Sequence, residues 1–545
     1  MTQTIPVFRP LMDEPVQEAA RASLERGWLG MGLDVAAFEK GVAKLLGADD
    51  RHVVAVSTGH AALHLALLRC GVGPGDEVIT PSFNNIADLQ AILATGAQPV
   101  FCDVEDVTLC IDVGKAAELI TPRTKALLPV DYAASLCRHD DALALAREHG
   151  LRVLRDAAHS FGSRESDGRM VGAMGDLCMF SFDPVKNITC IDGGAIVTPT
   201  EDDVAALHAM RLIGMGQPAE TMYRNERAWT YDVRRIGWRN HLANLHGAIG
   251  VAQLERMDEI AQSRRDVFNE YHKAMRGLDW LRLPAPIDGH RVPFIFVVRV
   301  AAEMREPFCK HLKEWGVETG VHWQPGHGFS LFAPCRRGEL AVTEQAGREI
   351  VTLPMHPMMD HRAVERVIEA VRRFEPEAQL SIESIDSSAA SAGRGSASDV
   401  VARRIEAMKF ADSDGAMPRL AIDGPRGVVA WLRSLPHVDD GLAQRDAELL
   451  TEWRHREMRW FSSRFTPTVE RTRQWLIHNV RDQPDRILYM IETEHGEPIG
   501  HIGLTNINIA QRTAELDNMI RGAPGVIPGV MALAERSLAQ WTFDE

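Results

Sequence analysis

The order of apolar and polar residues from position 53 to about 200 predicts alternating strands and helices. Short apolar runs are followed by longer stretches with helical periodicity. Repeated β–α units of this spacing predict an α/β fold, in which a mostly parallel sheet carries helices on both faces. Ligands of such sheets bind beyond the carboxyl ends of the strands. The predicted strands are residues 53–56, 77–80, 98–103, 126–130, 151–154 and 177–182, and the predicted helices include residues 61–68, 85–94 and 139–149.

The pattern changes on both sides of this region. Residues 11–50 have the pattern of amphipathic helices, whereas residues 381–398 are dominated by serine and alanine. Because such a segment has little apolar surface to bury, residues 377–418 are expected to form a flexible linker, with order resuming around Val428. Beyond it the pattern predicts strands at 428–433, 487–492, 498–504 and 514–521, helices at 446–460 and 468–479, and a Gly/Pro-rich loop at 522–529 that opens a helix at 530.

Composition narrows the class of protein. The chain has 545 residues, of which 45% are hydrophobic, and a formal net charge of −15, which argues against broad binding to nucleic acid or to anionic membranes. No run of about 18 apolar residues predicts a membrane-spanning helix, and Met1 to Pro10 lack a signal-peptide pattern. The eight cysteines show no C-x-x-C pair, so we expect reduced thiols and a cytoplasmic protein.

The turn Ser57-Thr58-Gly59-His60 joins the first predicted strand to a helix. Free backbone N–H groups at a helix N-terminus suit a phosphate group. The alternative is that Thr58 only caps the helix.

Asp156 and Lys186 are the two other candidates for chemistry. Asp156 follows the strand 151–154; a carboxylate there can keep a pyridine nitrogen protonated, or it can cap the next turn. Lys186 lies in a loop between the apolar run 177–182 and Gly193-Gly194. A lysine held away from water becomes a nucleophilic amine, as an aldehyde cofactor such as pyridoxal phosphate (PLP) requires, whereas a solvated lysine is only a surface charge.

These three elements belong to a longer set of motifs that resembles the DegT/DnrJ/EryC1/StrS family over about residues 5–375. The resemblance implies a fold-type I PLP aminotransferase acting on nucleotide-linked keto-sugars, with a large domain at 1–255 and a small α/β domain at 256–376. The matching segments are Ser57 to Ala66, Gly73 to Phe83, Asp156-Ala157-Ala158-His159-Ser160-Phe161-Gly162, Phe180-Ser181-Phe182 through Lys186-Asn187, Gly193-Gly194, Trp238 to Leu254 and Leu353-Pro354-Met355-His356-Pro357.

The resemblance implies a role for each matching residue. Lys186 looks like the Schiff-base lysine and proton shuttle, Asp156 like the partner of the pyridine nitrogen, and His159 like a neighbour of the ring and its 3-oxygen. A lysine rather than a histidine at position 186 favours transamination over sugar 3-dehydration, with glutamate as the usual amino donor. The implied phosphate cradle comprises Thr58, Gly59, His60 and Ser181.

The resemblance also implies a homodimer with shared active sites. Arg239 stands where family members commonly have an asparagine that contacts the phosphate from the neighbouring subunit, and an arginine can still bind phosphate. His241 in the same segment is assigned to the substrate. Asn85 departs from the family, since many members carry an aromatic residue there that stacks on the PLP ring.

The segment from Gly320 to His327 resembles the family segment near the sugar, which makes His322 and His327 candidate substrate ligands. We expect no metal, because a third ligand with suitable spacing is absent from the sequence pattern. The keto-sugar is expected to be a 4-keto-6-deoxy hexose. A cyclitol or another cyclic ketone as substrate, or a PLP-binding regulator without turnover, are the alternatives. The pairs Arg264-Arg265 and Arg336-Arg337 are expected to meet a nucleotide diphosphate or to lie on solvated helix faces.

Residues 419–545 resemble the GCN5-related N-acetyltransferase (GNAT) fold, in which the loop after the fourth strand holds the acetyl-CoA pyrophosphate. Here that loop begins at Arg521 and has Pro524 at a position where the family has glycine. The chain stops at Glu545, before the fifth strand expected of the fold, so the resemblance implies a truncated, partial domain. The pairing suggests amino-sugar formation followed by acetylation with acetyl-CoA.

Overall fold

The computed structural model describes residues 4–216 and 231–376 and, in the C-terminal part, residues 419–424, 427–434, 441–456, 468–476, 487–493, 497–508 and 513–521. Two compact units are present, Met1–Asp386 and Ser387–Glu545. The predicted linker at 377–418 lies outside the described residues, as do the predicted loop at 522–529 and the helix at 530.

A seven-stranded sheet forms the centre of the first unit, in the order β1-β7-β6-β5-β4-β2-β3. Neighbouring strands are parallel except at β7, which runs antiparallel to both β1 and β6. The mostly parallel α/β sheet predicted from the sequence is therefore present. Its strands are β1 His52–Val56, β2 Glu77–Pro81, β3 Gln98–Cys102, β4 Thr124–Leu127, β5 Arg152–Asp156, β6 Leu177–Ser181 and β7 Gly194–Thr198.

Helices cover both faces of this sheet. One face packs against a cluster that includes Phe38, Phe161 and Phe180, and the other against apolar residues of the helix after β1, such as Leu63. All five residues of β6 are buried, as expected of a strand covered on both sides. The helices of this part are α1 Glu14–Glu25, α2 Leu33–Leu46, α3 Gly59–Arg69, α4 Ile86–Ala94, α5 Val113–Glu118, α6 His139–His149, α7 Glu201–Arg211 and α8 Asn244–Leu254.

The remainder of the first unit is a smaller α/β arrangement. Two antiparallel strands pack with helices around a second core that includes Phe268, Phe296 and Phe308. The Tyr271 hydroxyl donates a hydrogen bond to the Pro354 carbonyl at 2.9 Å, which ties the long helix to the end of the second strand. These elements are α9 Met257–Met275, β8 Phe296–Arg299, α10 Ala302–Glu314, α11 Ala341–Glu349, β9 Ile350–Leu353 and α12 His361–Arg372.

The second unit contains a five-stranded antiparallel sheet in sequence order. Strand β10 was not predicted, because ordered structure was expected only from around Val428. Arg433 is buried and its guanidinium contacts the carboxylates of Asp446, at 2.9 Å, and Glu492, at 2.6 Å. The described elements are β10 Arg419–Gly424, β11 Gly427–Ser434, α13 Gly441–Arg456, α14 Val469–Leu476, β12 Ile487–Glu492, β13 Pro498–Asn508 and β14 Thr513–Arg521.

Candidate active site

The carboxyl ends of β1, β5 and β6, with the start of β7 between β1 and β6, bring the predicted site residues together. Asp156 ends β5 and Ser181 ends the adjacent β6. Gly194 pairs with both Ser181 and Val56, so the turn after β1 reaches the same edge of the sheet. A concave surface results at the place where α/β sheets bind their ligands.

The turn before α3 packs against Ser181 too closely for a side chain at position 59. A Cβ atom on Gly59 would lie 2.7 Å from the Ser181 hydroxyl oxygen. Thr58 caps the helix, because its hydroxyl accepts a hydrogen bond from the Ala61 amide at 2.9 Å. The cap leaves the first amides of α3 without an intrahelical acceptor. Beside the Ser181 hydroxyl, these amides form a cradle suited to a phosphate group.

Asp156 is buried, with 5% of its surface exposed. Its carboxylate accepts a hydrogen bond from the Ala158 amide at 2.8 Å, which stabilises the turn that follows β5. Burial raises the pKa of Asp156, while the Ala158 amide and the Lys186 charge act in the opposite direction. A carboxylate in a low-dielectric setting interacts strongly with a cation placed beside it.

Lys186 is half-buried rather than fully exposed at the surface. Its amine nitrogen is 4.5 Å from the centre of the Phe294 ring. Burial lowers the pKa of Lys186, and the charges of Asp156, Asp183 and Asp88 oppose that change. A larger share of the amine is therefore uncharged and nucleophilic than in a solvated lysine.

The loop that carries Lys186 is held by hydrogen bonds from both sides. Asn187 donates to the Phe161 carbonyl at 3.0 Å. Arg264 donates to the carbonyls of Lys186, at 3.2 Å, and Phe294, at 3.0 Å. These contacts fix the lysine between the large sheet and the smaller part of the unit.

The expectation that Arg264 lies on a solvated helix face is therefore wrong. It is 2% exposed, and burial lowers its pKa to about 10. Arg336 also has a structural partner, since it donates to Glu77 at 2.8 Å. The arginine pairs in the sequence did not indicate these structural roles, because the carbonyl and carboxylate groups that accept the hydrogen bonds are distant in the chain.

His159 faces the lysine across an aromatic cluster. Its ring centre is 4.4 Å from that of Phe294 and 6.1 Å from that of Trp323. The Nδ1 atom accepts a hydrogen bond from the Ala133 amide at 3.2 Å, which places the proton of the neutral ring on Nε2. Burial and the nearby Lys186 charge lower the pKa of His159 well below its ordinary value.

The structure separates the two histidines assigned to the substrate. His322 is close to the site: its ring is 5.2 Å from that of Phe8, and burial and the Lys186 charge lower its pKa to about 4. His327 instead makes a 2.7 Å hydrogen bond with Ser82 and lies 3.6 Å from the Glu344 carboxylate.

The segment 239–241 borders the phosphate cradle. The Ser57 amide donates to the Asn240 carbonyl at 2.8 Å, and His241 bridges to Val56. Arg239 is exposed. Burial of the His241 ring and the charge of Arg239 lower the pKa of His241. Both predicted residues thus lie beside the turn after β1.

Asn85 has a structural role at the start of α4. Its side-chain oxygen accepts a hydrogen bond from the Ala87 amide at 2.9 Å, so it is the N-cap of the helix. The aromatic rings next to the lysine belong instead to residues that the sequence did not indicate. Phe294, Phe8 and Tyr132 lie in this cluster, and no local motif marks them.

The residues present fit PLP. The cradle at Gly59 would hold the phosphate of PLP. Asp156 would pair with the ring nitrogen, and the Lys186 amine would bind the aldehyde carbon. When bound, PLP supplies an electrophilic carbon and an electron-withdrawing ring. In the described ranges, no group of three or more His, Cys, Asp or Glu residues is placed to hold a metal ion. No described helix is both long and apolar enough to cross a membrane.

Comparison with known proteins agrees with this geometry. Residues 10–372 match the DegT/DnrJ/EryC1/StrS aminotransferase family. Residues 441–545 match the acetyltransferase (GNAT) domain. The chain is 34% identical over 377 residues to the spore coat polysaccharide biosynthesis protein SpsC of Bacillus subtilis (strain 168), which covers 68% of this chain and 96% of SpsC.

Solved structures show the same similarity. The aminotransferase TlmJ from Streptoalloteichus hindustanus is 32% identical, with a TM-score of 0.63 over 69% of this chain and 100% of TlmJ. DesV of S. venezuelae, solved with a ketimine intermediate, is 30% identical, with a TM-score of 0.61 over 68% of this chain and 98% of DesV. The chain therefore belongs to the DegT/DnrJ/EryC1/StrS family of PLP-dependent aminotransferases, and it carries in addition a GNAT acetyltransferase domain.

Proposed function

We propose that the first unit transfers an amino group from glutamate to a nucleotide-linked keto-hexose, a 4-keto-6-deoxy sugar. The observation that carries the proposal is the half-buried Lys186 side chain, whose amine lies beside Phe294 and is influenced by the charge of Asp156. Similarity to SpsC, a polysaccharide biosynthesis protein, supports a sugar substrate. So does the 27% identity to the sugar aminotransferase CalS13 from Micromonospora echinospora.

Each site residue has a distinct part in this reaction. Lys186 binds the cofactor and moves the proton between the two carbons involved in the amino transfer. Asp156 holds the proton on the ring nitrogen. His159 keeps a neutral ring against the cofactor, since burial lowers its pKa. Thr58, Gly59, His60 and Ser181 bind the phosphate.

The sugar is expected on the side of the site where His322 lies. Its Nδ1 atom is 2.9 Å from the Thr352 hydroxyl, which orients the ring and leaves Nε2 available to a sugar hydroxyl. His241 lies beside Val56 at the end of β1, and His327 lies beside Ser82 after β2; we assign both to the outer part of the substrate. A cyclitol or another cyclic ketone would use the same contacts. The spectroscopic test therefore compares such ketones with keto-sugar nucleotides.

We further infer a homodimer in which Arg239 reaches the phosphate of the neighbouring subunit's cofactor. The segment before Arg239 supports this assignment, because large apolar side chains are exposed there. Tyr231 is 57% exposed, Val233 56% and Ile236 80%. A second copy of the chain would remove these side chains from water.

The GNAT domain would acetylate the new amine with acetyl-CoA, because the product of the first reaction has the functional group that the second requires. We place both reactions in the cytoplasm. All eight cysteines are free, and seven of them are buried, which suits a reducing compartment.

The test is spectroscopic. The purified protein should be yellow with PLP, glutamate should bleach the visible band, and a keto-sugar nucleotide should restore it. Lys186→Ala should abolish both changes, whereas Lys40→Ala, at an exposed helix position, should behave as the wild type. Restoration by cyclitol ketones alone would exclude the sugar substrate. Sedimentation analysis that found only monomers at working concentrations would exclude the shared site.

A further inference from the structure

Asp88 is a buried acid to which the reaction outlined above gives no role. It lies in the first turn of α4 and is 1% exposed. Among the described residues, no donor makes a hydrogen bond of good geometry to either of its carboxyl oxygens, and the Asn84 side chain lies only near enough to lower its pKa. An ionised carboxylate in this state would lose its hydration without compensation, which is unfavourable by several kcal/mol or more.

The carboxyl groups of Asp88 and Asp156 lie near enough to each other for each to shift the pKa of the other. The topology of the sheet explains the meeting. Strands β5, β4 and β2 are neighbours; Asp156 ends β5, and α4 follows β2 at the same edge. Two carboxylates offer only acceptors to one another, so a hydrogen bond between them requires one proton. Two buried acids at this separation share a proton rather than both ionise.

We propose that Asp88 is a positioning residue that stays a neutral carboxylic acid and donates its O–H to the Asp156 carboxylate, thereby aiming that carboxylate at the ring nitrogen of PLP. This inference rests on the role proposed for Asp156. The Asp156 carboxylate has capacity for all its partners, because it has about four lone-pair sites and the Ala158 amide, at 2.8 Å, uses one. The Asp88 hydroxyl takes a second site, and the ring N–H takes a third.

The surrounding charges favour a proton on Asp88 rather than on Asp156. Burial and the Asp156 charge raise the pKa of Asp88 well above its ordinary value, with Asn84 acting in the opposite direction. Burial and the Asp131 charge also raise the pKa of Asp156. The Ala158 amide, the Lys186 ammonium and the Asp88 hydroxyl lower it. Asp156 is thus the acid with more groups that stabilise its charge.

A neutral donor suits this position better than a cation would. Arginine or lysine beside Asp156 would satisfy its charge and compete with the protonated ring nitrogen. The hydroxyl of Asp88 orients the carboxylate but leaves its full negative charge for the cofactor. A carboxylate that is held in one orientation also loses less conformational freedom when the cofactor binds.

Infrared difference spectroscopy of the apoprotein tests where the proton lies, independently of substrate and turnover. At pH 8 the wild type should show the carbonyl stretching band of a protonated carboxylic acid. Asp88→Asn should lose this band, and Asp156→Asn should keep it. The opposite result, loss in Asp156→Asn and retention in Asp88→Asn, or no such band in the wild type, would overturn the proposal. Failure of the sugar screen would leave this measurement unaffected.

Titration with PLP then tests the positioning role. Asp88→Asn retains a neutral donor, so its PLP affinity and the pH profile of its visible band should match the wild type within about threefold. Asp88→Leu has similar bulk but no donor, so its affinity should fall roughly tenfold to a hundredfold, the contribution of one hydrogen bond to a charged group. Far-ultraviolet circular dichroism identifies a misfolded Leu variant. A shifted pH profile in Asp88→Asn would show that Asp88 is an anion in the wild type and would contradict the proposal.

Discussion

Gly59 and Ser181 approach so closely that a Cβ atom at position 59 would lie 2.7 Å from the Ser181 hydroxyl oxygen. The contact joins the start of α3 to the end of β6, and it would form the wall of the proposed phosphate cradle. The absence of a side chain at position 59 is thus a property of the binding site and not only of the turn.

Gly59→Ala should therefore weaken PLP binding. The added methyl group would push Ser181 away from the helix start, with a strain of about 1–3 kcal/mol, so we expect an affinity lower by roughly tenfold or more. Because alanine is a better helix former than glycine, a loss of helix stability cannot explain such a result. The measurement is titration of the apoprotein with PLP. Gly30→Ala is the control, since a Cβ there would meet no atom within 4 Å; equal affinities in the two variants would refute the prediction.

Arg264 should matter for the placement of Lys186. Arg264→Gln removes donors to the carbonyls of Lys186 and Phe294 and leaves them buried, which should lower the free energy of unfolding by about 2–4 kcal/mol. It should also lower kcat, because small displacements of a reacting group reduce rates by up to about a hundredfold.

The adjacent arginine supplies the control for this experiment. The Arg265 guanidinium donates a hydrogen bond to the Gln262 side chain at 3.0 Å on the exposed side of α9. Arg265→Gln should leave kcat and stability near those of the wild type. Chemical denaturation and steady-state kinetics measure both effects. A normal kcat in Arg264→Gln would show that the loop keeps its position without this contact.

Arg264 also shows which parts of the site could be predicted from sequence. Lys186, Asp156 and Gly59 were recognisable because each lies in a short motif at the end of a strand. Arg264, Phe294 and Asp88 carry no such signal, since their function depends on partners that are distant in the chain. Short apolar runs between stretches of helical periodicity predicted the sheet, because strands that are buried on both faces need continuous apolar runs.

The missed strand β10 has a similar physical explanation. Arg419–Gly424 is short and follows a segment with little apolar surface, so its own pattern was weak. It is a strand because β11 pairs with it through residues such as Trp431, opposite Ala421. Pairing of this kind depends on tertiary context more than on local preference.

Asp131 anchors the end of β5 through the Arg155 side chain. Its carboxylate binds Arg155 through two hydrogen bonds of 3.0 Å and accepts a third from the Cys137 amide at 2.9 Å. Asp131 and Arg155 are 0% and 1% exposed. Asp131→Asn would leave the buried guanidinium with Glu165 as its remaining charge partner, so we expect a loss toward the lower end of about 3–5 kcal/mol in unfolding free energy.

The exposed pair Asp167 and Arg169 is the control for this prediction. Asp167→Asn removes an ion pair of 2.5 Å that lies in solvent, and exposed pairs contribute little to stability. Urea unfolding of the two variants measures the difference. Similar losses in both would mean that burial does not determine the contribution of the Asp131 pair.

His356 should make the stability of the first unit depend on pH. It is 4% exposed, and burial, with the charges of Arg264 and Arg9, lowers its pKa to about 4; only the Pro6 carbonyl acts in the other direction. Between pH 6.5 and about 4 the unfolded chain therefore binds a proton that the folded state excludes. The free energy of unfolding therefore decreases as the pH falls through this window. Below the window, His356 causes no further decrease.

Replacing the ring with one that does not titrate should remove this dependence. For His356→Phe, the slope of unfolding free energy against pH should be less steep than in the wild type by up to about 1.4 kcal/mol per pH unit, the value for one proton. Above pH 7.5 the difference between the two proteins should be constant, because His356 is neutral in both states there. Urea unfolding at half-unit intervals of pH gives both slopes. Parallel curves from pH 4 to 8 would show that the folded state accepts the proton, and that burial does not hold His356 in its neutral form.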